Sequence, residues 1–225
     1  MISPVLDYVE STGRPRVFDI IRSGTYSVVN GAHHPQYSLE AGALEAQYIE
    51  EYFTEFRRKK TAEEIIDRLK DREHLILVSM APSDDDGTVT PVAYKIGHEL
   101  RSQETNIQLS ELVSQLREVV DFSNRKIFYS WIGGTRQEWR GQGRYRALTE
   151  QQEEWAHAHG YHELVVKTKN RFYPMRATLD HLNFDVIKFQ RHLRDNRESK
   201  VYLSKKIAAE VLNQHRTTRS VVEAA

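Results

Sequence analysis

The chain has 225 residues, 32 basic and 32 acidic side chains, a formal net charge of zero and no cysteine. The absence of cysteine excludes disulfides, thiolate metal sites and a cysteine nucleophile, and the balanced charge argues against a dedicated nucleic-acid-binding protein. No apolar run approaches the ~20 residues that a membrane helix needs, and the first residues lack the pattern of a signal peptide. We therefore expect a cytoplasmic protein with neither a membrane nor a nucleic-acid partner.

The N-terminal part of the chain combines a poorly defined segment with two helices. Residues 1–40 show no clear pattern beyond short strands indicated at 17–21 and 26–29. From residue 38, apolar side chains recur at spacings of three and four, which predicts one helix face, formed by Leu44, Tyr48, Tyr52, Phe53 and Phe56. This aromatic stripe either packs on a sheet or lines a binding pocket, and we favour packing. Thr61 and Glu64 have the spacing of a capping box, so a second helix begins there.

The rest of the chain alternates between strands and helices. Strands are predicted at 74–80, 91–97, 126–132, 163–168, 184–189 and 200–203, of which the first two form a hairpin. Helices are predicted within 100–121, over 144–159 with Gly160 as the C-cap, and over 173–182. The segment 207–225 is predicted to be a helix that frays into a polar tail. This order predicts an α/β (α+β) fold with a mixed sheet flanked by helices.

A glycine-rich loop joins the strand at 126–132 to the helix at 144–159. It contains glycine at 133, 134, 141 and 143. Backbone N–H groups at the start of a helix favour an anion, and glycine lets a phosphate approach the backbone closely. Because Arg140 and Arg144 add positive charge, a pyrophosphate is the expected ligand. The P-loop and Rossmann fingerprints do not match, and a tight turn without a ligand is the alternative.

The loop resembles motif A of the GNAT superfamily of acyl-CoA-dependent N-acyltransferases, which is Arg/Gln-x-x-Gly-x-Gly/Ala. The matching segment is Arg140-Gly141-Gln142-Gly143-Arg144-Tyr145. Its first four positions agree, whereas Tyr145 stands where the family has Gly or Ala, so this side chain has to point away from a pyrophosphate. Residues 129–134, Tyr-Ser-Trp-Ile-Gly-Gly, also resemble a bacterial subgroup in which this segment precedes motif A.

A second segment resembles motif B of the same superfamily. Asn170 follows the strand at 163–168, Met175 lies in the short helix, and Leu182-Asn183-Phe184 replaces the family's Leu-Gly-Phe. Asn183 is a fitting substitute because Asn tolerates a left-handed conformation. The resemblance covers about residues 44–207. It implies a single GNAT-like domain over residues 1–225, with a mostly antiparallel sheet whose fourth and fifth strands (126–132 and 163–168) splay apart.

The resemblance also implies a site for acetyl-CoA, with no metal. Its pantetheine arm would contact the fourth-strand backbone at Gly133, Gly134 and Thr135. Its pyrophosphate would bind the N–H groups of the residues in the glycine loop: Gln142, Gly143, Arg144 and Tyr145, preceded by Arg140 and Gly141. Asn170 would face the cofactor from the end of the fifth strand.

The implied reaction is direct attack of a primary amine on the thioester in a ternary complex. It needs a base, donors for the oxyanion and an acid for the departing thiolate. Many relatives use a tyrosine as the acid, but its position here is Leu179, so the nearest substitute is Tyr173 at the start of the same helix. The candidates for the base are Tyr129, His98 and Glu99. Zero cysteine excludes an acyl-cysteine intermediate.

Two functions are compatible with this resemblance. The chain is either an N-acetyltransferase for a small-molecule or protein amine, or a GNAT-like module that binds CoA or another ligand without catalysis. The missing acid tyrosine favours the second function. The sequence leaves the acceptor, the length of the acyl chain and the formation of a homodimer open.

Overall fold

The structure is a computed structural model that describes residues 46–53, 60–82, 90–210 and 212 with their side chains. It describes the backbone alone at 2–4, 8–9, 15–16, 19–24, 39–45 and 89. The expected strand at 26–29, the side chain of Phe56 and most of the expected C-terminal helix and tail lie outside these residues. The indicated strand at 17–21 is found slightly later in the chain, at Asp19–Gly24.

Eight of the described strands form one sheet. These strands are β1 Ile2–Pro4, β4 Asp19–Gly24, β5 His74–Pro82, β6 Val89–Leu100, β7 Ile127–Thr135, β8 Glu163–Lys169, β9 Asp185–Gln190 and β10 Lys200–Lys206, while β2 Tyr8–Val9 and β3 Pro15–Arg16 pair separately. Their order is β1-β4-β5-β6-β7-β8-β10-β9, and every neighbouring pair is antiparallel except β7–β8, which is parallel. The prediction of a mixed, mostly antiparallel sheet is confirmed.

The described helices fall close to their predicted places. They are α1 Leu39–Tyr52, α2 Ala62–Leu69, α3 Ile107–Leu116, α4 Arg144–Ala158 and α5 Tyr173–His181. The capping box of α2 is confirmed, because Thr61 Oγ1 accepts from the Glu64 N–H at 3.1 Å and the Glu64 carboxylate accepts from the Thr61 N–H at 3.2 Å. Among the residues described, no helix is long and apolar enough to cross a membrane.

Helices cover both faces of the sheet. One apolar cluster joins α4 and α5 to inward-facing strand residues such as Leu77 and Phe128. On the opposite face, α1 and α2 pack on β5 and β6, and α3 packs beside them. Successive residues of a strand belong to different clusters, as the alternation of side chains requires. Phe53 is buried with its ring centroid 4.6 Å from that of Tyr94, so this member of the aromatic stripe packs on the sheet.

Three charged side chains are buried between α4 and the sheet. Lys205 of β10 donates to Glu153 Oε2 of α4 at 2.5 Å, and both side chains are almost fully buried. Lys95 of β6 is 1% exposed and donates to the Tyr145 hydroxyl at 3.1 Å. Burial lowers the pKa of Lys95 to about 7, although the nearby Glu153 carboxylate opposes this shift. Polar contacts therefore fix α4 on the sheet together with its apolar residues.

Replacing Lys205 by alanine is expected to lower the free energy of unfolding by about 3 kcal/mol, because a buried carboxylate would lose its ammonium partner. The double variant Lys205→Met/Glu153→Leu removes both charges and keeps apolar volume, so it should lose less stability than Lys205→Ala alone. Urea unfolding of the three proteins measures both differences. A Lys205→Ala variant as stable as the wild type would contradict the prediction.

Lys95 should make stability depend on pH. Its folded-state pKa of about 7 lies below the ordinary value of 10.5, so between these values the unfolded chain binds more protons and stability rises with pH. We expect the unfolding free energy of the wild type, relative to Lys95→Met, to increase from pH 7 to pH 10 in urea titrations. The matched variant Lys70→Met removes an exposed lysine and should show no such trend. A constant difference between wild type and Lys95→Met would refute this assignment.

Candidate functional site

The parallel strands β7 and β8 separate partway along their length. Their ladder runs from Ile127 opposite Glu163 to Ser130 opposite Val166 and ends there. Beyond that point β7 continues to Thr135 while paired with β6 alone. The register with β6 shifts on either side of Trp131, which marks a bulge at the same place. A gap therefore opens between the two strands, and the predicted splay is confirmed.

Gly133 lets the ring of Tyr145 lie against β7. A Cβ at this position would lie 3.3 Å from Tyr145 Cε2 and 3.0 Å from the carbonyl oxygen of Tyr94. The Tyr145 hydroxyl accepts the hydrogen bond from Lys95, and its ring lies 4.3 Å from the Lys95 ammonium. The bulky side chain thus points at the sheet, as the departure from motif A requires.

The glycine loop delivers an uncapped helix N-terminus to the end of β7. Gly141 and Gly143 have φ angles of 74° and 82°, in the left-handed region that favours glycine. Gly143 is the N-cap of α4 and has no side chain that could accept a hydrogen bond from the first turn. Because the first N–H groups of a helix have no intrahelical acceptor and carry the positive end of its dipole, this position suits an anion.

The two arginines of the loop take different directions. Arg140 is exposed, and its Nε donates to the Thr135 carbonyl oxygen at 3.0 Å. Arg144 is buried, donating to Ser79 Oγ at 2.8 Å and to the Met80 carbonyl oxygen at 3.2 Å, beneath the Trp139 ring at 4.9 Å. The expected surface charge is therefore present at Arg140, whereas the charge of Arg144 is directed into the fold.

Thr135 and Asn170 lie at the ends of the two diverging strands. Thr135 Oγ1 is buried and has no hydrogen-bond partner among the described residues, as an atom that awaits a ligand or water would be. The Asn170 carboxamide is engaged within the protein, donating to the Asn196 carbonyl oxygen at 3.1 Å and accepting from Arg176. Its contact with a cofactor stays a prediction.

His98, Tyr129 and Trp131 form an aromatic cluster on the α3 side of the gap. The His98 ring centroid is 5.5 Å from that of Tyr129 and 5.8 Å from that of Trp131. His98 Nδ1 lies 2.7 Å from the Glu99 carbonyl oxygen, which can only accept, so Nδ1 carries the proton and Nε2 is a bare acceptor. Complete burial lowers the pKa of His98 to about 3. The imidazole is therefore neutral and a weak base at pH 7.

The other two catalytic candidates lie elsewhere. Glu99 is opposite Phe128, before the gap opens, and its carboxylate binds Arg101 Nε at 2.8 Å. Tyr173 begins α5 and is 57% exposed. Leu179, at the position of the family's acid, is completely buried. The geometry brings together Tyr129 and His98 but not Glu99.

Asn183 confirms the expectation for motif B. Its φ of 61° is positive, a conformation that no other non-glycine residue adopts within the described part of the chain. The following Phe184 is buried in the cluster beneath α4 and α5. The substitution of Asn for Gly therefore preserves the left-handed turn that returns the chain from α5 to β9.

Several residues near the gap are not indicated by the sequence. Arg68 of α2 has its guanidinium 4.9 Å from the Trp131 ring centroid, and the Lys60 ammonium lies 5.9 Å from it. No spacing in the sequence links these residues, because three separate elements bring them together. Lys95 had one signal, since it is the only charged residue within the predicted strand at 91–97.

Comparison with known proteins finds likeness in structure rather than in sequence. No family model matches the chain, and no curated protein matches its sequence. The fold is similar to Arabidopsis thaliana NAA60 in complex with acetyl-CoA (TM-score 0.55, 13% identity, 84% of this chain and 98% of that chain). It is also similar to a chain of the NatC complex bound to Gag peptide and CoA (0.53, 10%, 84% and 99%).

A third similar structure is a GNAT superfamily phosphinothricin acetyltransferase from Sinorhizobium meliloti in complex with AcCoA (TM-score 0.50, 12% identity, 74% of this chain and 85% of that chain). The likeness concerns a mixed, mostly antiparallel sheet flanked by helices, in which β7 and β8 form a parallel pair. At these identities the likeness concerns architecture alone. The chain has the GNAT fold.

Proposed function

We propose that this chain is an acyl-CoA-dependent N-acyltransferase that moves an acetyl group from acetyl-CoA to a primary amine. The observation that carries the proposal is the gap between β7 and β8, which leads directly to the uncapped, glycine-flanked N-terminus of α4. An exposed strand edge followed by an anion site suits a ligand that has amide groups in one part and a pyrophosphate in another.

The donor would bind along these two features. The backbone of Gly133, Gly134 and Thr135 on the open side of β7 would hydrogen-bond its pantetheine amides. The N–H groups of 142–145 would hold its pyrophosphate, with the Arg140 guanidinium beside them. When bound, acetyl-CoA supplies an activated thioester carbonyl. The buried Thr135 hydroxyl, which has no partner within the described residues, fits a polar ligand at this junction.

The chain's own residues would orient the amine and handle its proton. A β7 N–H at the bulge would stabilise the developing oxyanion. Tyr129 still pairs with Val165, next to the last strand pair before the gap opens, and lies against His98, whose Nε2 has no partner among the described residues. Burial lowers the pKa of His98 to about 3. We therefore propose that Nε2 accepts a hydrogen bond from the amine and does not take up its proton. The base, and the acid role of Tyr173, stay predictions.

A non-catalytic CoA-binding protein is the second candidate. The observation in its favour is Leu179, a completely buried apolar residue where many relatives carry the acid. Acetyl-CoA turnover across a panel of primary amines, followed by release of free thiol, distinguishes the two. Stabilisation by CoA without turnover of any amine would favour the binding protein. An enzyme that lacks only the acid would still show measurable turnover, because the thiolate can leave without being protonated by a side chain.

Other properties are proposed on the same basis. We propose one domain over residues 1–225, located in the cytoplasm, with a small-molecule or protein amine as its partner and no metal. Within the residues that the structure describes, no cluster of three or more His, Asp or Glu side chains could hold a metal ion. The membership of a bacterial subgroup and the formation of a homodimer also stay predictions.

Gly143→Ala is expected to weaken CoA binding at least tenfold, measured by calorimetry, because a Cβ at the N-cap would disturb the left-handed turn and obstruct the N–H groups. Gly160→Ala is the matched control, since Gly160 has a φ of 75° at the opposite end of α4. Both variants should lose about 1 kcal/mol of stability, but only Gly143→Ala should lose CoA affinity. Equal CoA affinity in the two variants would show that the pyrophosphate site is misplaced.

A further inference from the structure

Two side chains flank the mouth of the gap on the face that α2 and α3 cover. Trp131 and Lys167 occupy the positions immediately after the last strand pair, Ser130 opposite Val166. Trp131 packs against the clusters beneath α2 and α3. Lys167 follows Val165 by two residues and is opposite Tyr202 in register, and both of these contribute to the cluster beneath α3. Side-chain alternation therefore places Lys167 on the same face as Trp131.

The α2 side of this mouth is positively charged. The Arg68 guanidinium lies 4.9 Å from the Trp131 ring centroid, and the Lys60 ammonium lies 5.9 Å from it. Lys60 is neutralised by Glu64 at 3.1 Å. Arg68 instead donates to the neutral Gln108 side chain at 3.0 Å and forms no ion pair among the described residues. The carboxylate that acts on it electrostatically, Glu104, is paired with Arg72 at 3.0 Å.

The β8 side is positively charged as well. Lys167 is half-buried and makes no hydrogen bond or ion pair within the residues that the structure describes. The charged groups that influence it are Lys200 of β10 and Glu111 of α3, and burial followed by the Lys200 charge lowers its pKa. Arg68 and Lys167 are therefore partly desolvated cations that form no ion pair among the described residues, although Glu104 and Glu111 lie near enough to influence them electrostatically. Such groups favour an anion that enters between them.

We infer that the amine acceptor carries an anionic group, such as a carboxylate, which Arg68 and Lys167 recognise at the mouth of the gap. That the anionic molecule is the acyl acceptor rests on the proposed function. The anion site itself rests only on the positions of the two cations. The Trp131 ring beside Arg68 would contact the aliphatic part of the molecule. A small amino acid and an acidic peptide share this chemistry.

Three amines of similar length test the inference. In the wild type, the kcat/KM for 4-aminobutyrate should be at least tenfold higher than that for butylamine or 1,4-diaminobutane. A charge-assisted hydrogen bond to the carboxylate is expected to contribute about a tenfold gain. Arg68→Gln and Lys167→Gln should each remove most of this preference without changing the KM for acetyl-CoA. The control Lys70→Gln, an exposed residue of the segment that follows α2, should retain it. Equal use of the three amines by the wild type would overturn the inference.

A binding measurement separates this inference from the proposed function. Calorimetry with 4-aminobutyrate should detect binding to the wild type and at least tenfold weaker binding to Lys167→Gln, whether or not acetyl transfer occurs. Absence of CoA binding together with retained 4-aminobutyrate binding would sink the acyl-transfer proposal but leave the anion site in place. Turnover of butylamine without binding or turnover of 4-aminobutyrate would support acyl transfer and refute the anion site. Two peptides with free N-termini, Ser-Asp-Ala-Ala-Ala and Ser-Lys-Ala-Ala-Ala, show whether the anion belongs to a peptide.

Discussion

The parallel pairing of β7 and β8 stops after four residue pairs, and the site depends on this interruption. Up to Ser130 and Val166 the two strands satisfy one another's backbone groups. From Trp131 onward one edge of β7 is released, while the other edge stays fixed by β6 as far as Thr135. A backbone edge inside a folded domain needs polar partners, and under the proposed function the amides of the pantetheine arm would supply them along β7.

Helix α4 converts this opening into a site with two parts. It starts just after β7 and presents an uncapped N-terminus, with Gly143 in the left-handed region. The helix is anchored by the buried Lys205–Glu153 pair and by the Tyr145–Lys95 hydrogen bond. These contacts stabilise the helix in one position on the sheet. The anion site therefore has a defined place relative to the open strand edge.

The charge around the gap is positive although the net charge of the chain is zero. The face that α2 and α3 cover carries Arg68 against the Trp131 ring and Lys167 on the neighbouring strand, neither of them in an ion pair among the described residues. In the same region His98 is buried and neutral. The face thus combines positive charge, an aromatic surface and a buried neutral imidazole, and the proposed preference for an anionic acceptor rests on this combination.

The sequence predicted the features that depend on local chemistry. Apolar runs on either side of a turn located the hairpin of β5 and β6, and the Thr61 capping box located α2. The glycines between β7 and α4 indicated a loop that suits an anion, and the structure places Gly141 and Gly143 of this loop in the left-handed region. The Asn183 turn was foreseen for the same reason, since few residue types tolerate a positive φ. Such signals lie within a few residues of one another.

The direction of long side chains was decided by tertiary structure. Arg144 was expected to face a phosphate, but its guanidinium finds Ser79 and Met80 on β5 instead. The sequence indicates His98 as a candidate base, but packing buries it completely and lowers its pKa. The sequence by itself determined the order of the elements from α1 onward and the position of the glycine loop between β7 and α4, because these follow from neighbouring residues. Only tertiary structure decided which charges meet at the gap, because Arg68, Trp131 and Lys167 are far apart in the chain and are brought together by packing.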